Sequence, residues 1–281
     1  MFYQLDEART NPARFQAVID KVRASNSQPQ PTQEQSDAYG HEEIDIDGFP
    51  LHLLQTGTRD KVILFLHGGA YILGLNQQYW ELIVDIGQQS NHHVAVFDYP
   101  IAPEHTCETA VSRTLQTYQH LLQTYTPSDI TIMGDSAGGG LAAALCQHLH
   151  QHNLPQPASL VLLYPWLDVT MSNPQSRKLE RKDLILACDG LAACGVAYAG
   201  EREPTDPLVS PLFGTVEGLS KTAVFIGTND ILHPQAIAFH QKLTSAGMPS
   251  ELFEYRGLPH AWLMFPTPER ERAIAEIAQF L

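Results

Sequence analysis

Five continuous apolar runs constrain this chain most: Val62–Leu66, Val94–Phe97, Ile130–Met133, Leu160–Leu163 and Ala223–Ile226. A strand with one wet face alternates apolar and polar residues, whereas an unbroken run marks a strand covered on both faces. Helical patterns fall between most of them, over Gln77–Gln89, Thr109–Tyr125 and Gly139–His150, and another follows over Pro234–Ala246. Strands alternating with helices build βαβ units around a parallel sheet. Glu42–Asp47 alternates, and the turn pair Asp47-Gly48 leads into Leu51–Leu54, so these two segments are expected as a hairpin. Leu252–Tyr255 adds an eighth strand and Pro268–Leu281 a last helix. The expected fold class is α/β, a single domain over residues 1–281 with a mostly parallel eight-stranded sheet and helices on both faces.

Two segments break the alternation. In the first forty or so residues, Asn11-Pro12 reads as a helix start, and Phe15, Val18, Ile19 and Val22 follow at helical spacing. Ser25–Gln35, rich in Gln, Pro and Ser, reads as a loop. The second interruption, residues 169–217, lies between two core strands and carries its own helical stretch, Asp183–Tyr198. An insertion of that size at the C-terminal edge of a sheet is a candidate lid. A helical cap built from residues 1–40 and 169–217 is therefore expected.

Chemistry enters at Gly134-Asp135-Ser136-Ala137-Gly138. The bare pattern Gly-x-Ser-x-Gly arises by chance in roughly one chain in ten of this length. Here it follows the apolar run Ile130–Met133 and opens a helix of small residues, Gly138-Gly139-Gly140-Leu141-Ala142-Ala143-Ala144. That context fits a sharp strand-to-helix turn that presents a nucleophilic serine, where larger neighbours would clash. A phosphate loop is not supported, because no Lys-Ser/Thr pair follows the glycines. His67-Gly68-Gly69-Ala70-Tyr71 directly follows another core strand. Acyl transfer needs N–H donors where a carbonyl oxygen becomes an oxyanion, and glycine lets the backbone come close enough. Gly68, Gly69 and Ala137, the residue after the serine, are the candidate oxyanion donors. His67 is expected to brace the loop.

A serine elbow of this kind is followed along the chain by an acid and then a histidine. Asp230 follows the run ending at Ile226, and His260 follows the strand ending at Tyr255. Both fall at C-terminal strand ends, where α/β sites form. The competitors are placed less well. His233 and His240 fall on or near a helix, His92 and His93 precede a strand, Asp168 follows Pro165-Trp166-Leu167 in a structural setting, and Asp206 belongs to the return from the insertion. Ser136, His260 and Asp230 are thus the candidate nucleophile, base and acid.

Taken in order, His67–Tyr71, Asp98-Tyr99-Pro100-Ile101-Ala102-Pro103-Glu104-His105, Gly134–Gly139, Asp206-Pro207-Leu208-Val209-Ser210-Pro211, the Asp230 loop and the His260 loop resemble the hormone-sensitive-lipase branch of α/β hydrolases across residues 61–281. The chain departs from that pattern at Ala70, where many relatives have Gly, and at Pro100, where an Arg is usual. Ala70 keeps its backbone N–H. The resemblance implies hydrolysis of a small carboxylic ester without a cofactor or metal, and a cap of the kind inferred above. By family analogy Leu252–Tyr255 is the candidate edge for a homodimer. An amidase or formamidase would use the same three residues. A non-catalytic binder, like the gibberellin receptors that resemble this branch, lacks the histidine that stands here at 260. The small cap and the lack of a long amphipathic surface segment favour short acyl chains, acetyl to butyryl.

Charge and composition exclude other classes. A net charge of -14 disfavours nucleic acid and anionic lipid as partners. No apolar stretch is long enough for a transmembrane helix. Met1–Glu7 has neither a basic nor an apolar leader region, so no secretory signal is expected. Cys107, Cys146, Cys188 and Cys194 lack metal-site or redox spacing, which suits reduced thiols in a cytoplasmic protein.

Overall fold

The computed structural model describes residues 11–26, 29–58 and 60–281. The leader reading at Met1–Glu7 and the first ten residues of the expected cap lie outside these. Helix α1, Pro12–Asn26, begins where Asn11 Oδ1 accepts the Arg14 N–H at 3.1 Å. A short helix α2, Gln33–Tyr39, follows within what was expected to be loop up to Gln35. Its cause was readable: Thr32 and Gln35 form a capping box, each side chain meeting the other's backbone N–H.

Strands β1 (Glu42–Ile46) and β2 (Phe49–Leu54) form the expected hairpin. Asp47 and Gly48 at its tip both have positive φ, 51° and 90°, as a two-residue hairpin turn requires. The core strands are β3 (Val62–Leu66), β4 (His93–Phe97), β5 (Ile130–Asp135), β6 (Ser159–Leu163) and β7 (Lys221–Gly227), and β8 (Ser250–Tyr255) closes the sheet. The spatial order is β1-β2-β4-β3-β5-β6-β7-β8. Strand β2 pairs antiparallel with both β1 and β4; β3 through β8 are parallel. The unbroken runs are buried from end to end in β3, β5 and β6. Strand β8, the expected dimer edge, pairs only with β7 among the described residues.

The connecting helices are α3 (Gln77–Ser90), α4 (Cys107–Leu121) and α5 (Ser136–Gln151), then α8 (His233–Ser245) and α9 (Pro268–Phe280) around the last two strands. The insertion holds two helices, α6 (Pro174–Leu179) and α7 (Cys188–Ala199). Helix α7 starts later than the sequence pattern suggests. Asp183 does not enter a helix; its side chain instead accepts the N–H groups of Ile185 and Leu186 at 2.9 and 3.1 Å. Asp is better suited to such a turn than to a helix interior. All four cysteines are buried and free. Among the described residues no helix is long and apolar enough to cross a membrane.

Candidate active site

The turn from β5 into α5 is backbone packed on backbone. A side chain at Gly134 would put a Cβ 2.2 Å from the Gly138 carbonyl oxygen, and one at Gly138 would lie 2.0 Å from that of Leu66. No larger residue fits at either place, so the pattern Gly-x-Ser-x-Gly follows from contact. The chain turns so sharply that Ser136 itself takes a positive φ of 52°, which costs a non-glycine residue about 1–2 kcal/mol. The surroundings over-determine this strained turn. The Ser136 carbonyl accepts the Trp166 N–H at 2.8 Å, and α5 behind it is buried along Leu141, Leu145 and Leu149, each burial contributing about 1.5–3 kcal/mol.

At this turn the structure brings the three candidate residues together. His260 Nε2 lies 2.9 Å from Ser136 Oγ, and His260 Nδ1 lies 2.7 Å from Asp230 Oδ2. All three side chains are buried; Ser136 is only 7% exposed. The other Asp230 oxygen accepts the Leu232 N–H at 2.8 Å. Asp183 of the insertion accepts the N–H of the intervening Ile231 at 3.1 Å, which pins the insertion beside Asp230. Burial lowers the His260 pKa, but the charge and hydrogen bond of Asp230, with Asp183 and Asp135 behind it, more than offset this, and the imidazole sits above its usual range. Tyr164, itself at φ 37°, meets the His260 ring edge-on at 5.0 Å.

The loop after β3 corrects one expectation. The Gly68 N–H is donated to Asp135 Oδ1 at 2.7 Å, so it is committed to a carboxylate and not open to a substrate oxygen. A side chain at Gly68 would also strike Asp135 and the Tyr79 hydroxyl. Gly69 and Ala70, at φ 111° and 54°, come next in the loop. Among the described residues their N–H groups meet no acceptor. The same holds for Ala137 in the first turn of α5, where a helix leaves its N–H groups unpaired. The alanine in place of a fourth glycine is thus held in a left-handed conformation and keeps a free donor.

Asp135 had no separate signal in the sequence, being an unspecified position of the motif. It is 1% exposed and ties the loop to the elbow, because its second oxygen accepts the Tyr79 hydroxyl at 3.2 Å. Burial pushes its carboxyl up to about 6, against the lowering effects of His67 and the Gly68 N–H. His67 braces the loop as expected: its Nδ1 lies 2.7 Å from the Gly68 carbonyl and its ring stacks on Tyr99 at 4.3 Å. Helix α1 reaches the same region, since Arg23 donates to the Ile72 and Ala102 carbonyls and pairs with Glu104 at 2.8 Å. From the insertion, Tyr198 stacks on Tyr71 at 3.5 Å. A cavity of about 450 Å³ between α1 and the Asp98–His105 segment does not include Ser136; the serine lies under cover.

The competing residues have local duties. Asp168 accepts the Thr170 N–H and hydroxyl, Asp206 accepts the Leu208 N–H and pairs with Arg202, and His233 pairs with Glu254.

Residues 63–264 match the family described as having the alpha/beta hydrolase fold. The chain belongs to that family. Among α/β hydrolases, it is 35% identical to an esterase of Acinetobacter venetianus, over 78% of this chain and 74% of that one. It is 32% identical to an acetyl-hydrolase of Streptomyces hygroscopicus, over 79% and 75%. A crystal structure of an esterase from the bacterial hormone-sensitive lipase family superimposes with a TM-score of 0.84 at 28% identity, covering 99% of this chain and 95% of the other. These likenesses agree with the resemblance read from the six motifs.

Proposed function

We propose that this α/β hydrolase is a carboxylesterase that forms an acyl-enzyme on Ser136. The observation that carries the reading is the continuous relay of Ser136, His260 and Asp230 at 2.9 and 2.7 Å, set against a loop with free N–H donors. His260 takes the Ser136 proton as the oxygen attacks the ester carbonyl. The N–H groups of Gly69, Ala70 and Ala137 receive the oxyanion. Asp230 holds His260 in the tautomer with its proton on Nδ1 and stabilises the imidazolium. His260 then protonates the leaving alcohol, and water releases the acid by the same steps in reverse. None of these steps requires a metal or a cofactor. Two of the relatives named above, the Acinetobacter protein and the crystallised bacterial one, are called esterases, which sets ester ahead of amide hydrolysis. Labelling with a fluorophosphonate probe tests the assignment: one adduct on Ser136 is expected, and an unlabelled serine would leave a non-catalytic binder as the better reading.

Two expectations concern the reaction's range. A base must be neutral to take a proton, and the His260 pKa lies above the ordinary 6.5. The imidazole is therefore still protonated at pH values where a free histidine is not, and the acid limb of the profile moves upward. kcat/KM should fall as pH drops through a value above 6.5; a flat profile between about pH 5 and 8 would contradict the role of His260. Ser136 is almost fully covered, and we read the segments around residues 11–40 and 169–217 as a small cap over the site. Short acyl groups should be preferred. In a series of p-nitrophenyl esters, acetate to butyrate should give the highest kcat/KM, and a maximum at long chains would refute the small acyl site.

A further inference from the structure

A second cluster of chemistry-bearing side chains lies at the hairpin edge of the sheet and takes no part in the reaction described above. His52 stands directly opposite Glu43 in the β1–β2 ladder. Directly opposed residues project from the same face. His41, two residues before Glu43 along an extended chain, falls on that face as well. The C-cap of α2 sets its position: Gly40 is left-handed, and the His41 N–H reaches back to the Ser36 carbonyl at 3.3 Å.

Three ligand atoms converge there. His41 Nε2 and His52 Nδ1 are 3.0 Å apart, Glu43 Oε2 is 3.7 Å from His52 Nδ1, and all three atoms lie within 4.8 Å of one another. Among the described residues this is the one such cluster of three. We propose that His41, Glu43 and His52 bind one divalent transition-metal ion of the zinc class.

The geometry suits that ion. Two imidazole nitrogens on one tetrahedral zinc, each bonded at 2.0–2.1 Å, stand roughly 3.3 Å apart. The two nitrogens here need to part by only a few tenths of an ångström. The larger adjustment falls to Glu43, whose side chain is 46% exposed and accepts a 3.0 Å hydrogen bond from Gln30. Two imidazoles and a carboxylate are a donor set for zinc or its neighbours rather than for calcium or magnesium, which prefer all-oxygen sites.

The packing of His52 holds its Nδ1 in place: the ring is fully buried and meets Trp80 of α3 edge-on at 5.4 Å. Three protein ligands leave a fourth position for a water molecule. The ion would serve structure there, clasping the outer hairpin to the end of α2, and the chain's charge of -14 favours its approach.

The test is a zinc titration of metal-stripped protein against a competing chromophoric chelator, with thermal unfolding as a second readout. One ion per chain should bind with micromolar affinity or tighter, and saturating zinc should raise Tm by several degrees. His41→Gln and Glu43→Gln, both at partly exposed positions that leave the core untouched, should each weaken binding at least about tenfold and remove the Tm shift. Substituting the stacked surface pair His148 and His152 by Gln should change neither readout. Absence of saturable binding at about 100 µM zinc would overturn the proposal. So would unchanged affinity in His41→Gln, or loss of binding on replacing His148 and His152.

Discussion

Ser136→Ala is expected to lower kcat for ester hydrolysis by about five to six powers of ten while leaving the fold intact. The large figure follows from the chemistry: without Oγ there is no covalent intermediate, and what remains is water attack assisted by the oxyanion donors. The intact fold follows from the contacts. The elbow is held by backbone against backbone at Gly134 and Gly138 and by the 2.8 Å bond from Trp166 to the Ser136 carbonyl. None of these involves the hydroxyl. Stopped assays on the purified variant give kcat, and thermal unfolding checks the fold. Turnover within tenfold of the unsubstituted chain would end the case for Ser136 as nucleophile.

Asp230→Asn should come second, with kcat down by about three to four powers of ten and KM little changed. The two Asp230 oxygens have distinct partners, His260 Nδ1 on one side and the Leu232 N–H on the other. Asparagine can keep its carbonyl oxygen on Leu232 only by turning its NH₂ toward His260. That forces the histidine proton onto Nε2, so the nitrogen facing Ser136 Oγ becomes a donor and cannot take the serine proton. The side chain is the same size and the Leu232 bond survives, so stability should change little. A kcat within tenfold of the parent would show that Asp230 does not set the tautomer.

The features legible in the sequence share one property: they are local in the chain and repeat a simple physical rule. The apolar runs of β3 to β7 need only the reading that a strand covered on both faces has no polar alternation. Ser136 and Asp230 were found because each follows such a run and His260 because it follows the last strand, and strand ends in a parallel sheet fall on one edge. What escaped depends on contacts between distant segments. Gly68 looks the same in the sequence as Gly69, and only the arrival of Asp135 from the next strand separates a committed N–H from a free one. Asp183 lies 47 residues before Asp230 in an insertion without a motif, and nothing local marks it as the residue that holds the Ile231 N–H. Helix α2 escaped for a different reason: its capping box at Thr32 and Gln35 was visible, but the surrounding Gln, Pro and Ser masked it.

The contact of Gly138 with the Leu66 carbonyl has a further consequence for how the enzyme comes into being. The serine's geometry exists only once β3 and β5 lie side by side, two strands whose paired residues Val62 and Ile130 are far apart in the chain. Pairings of that range form late, because loop closure must come first. A nascent or partly unfolded copy therefore carries the hydroxyl without its reactivity. The fold acts as its own safety catch, keeping unfinished copies from attacking esters they were never shaped to select.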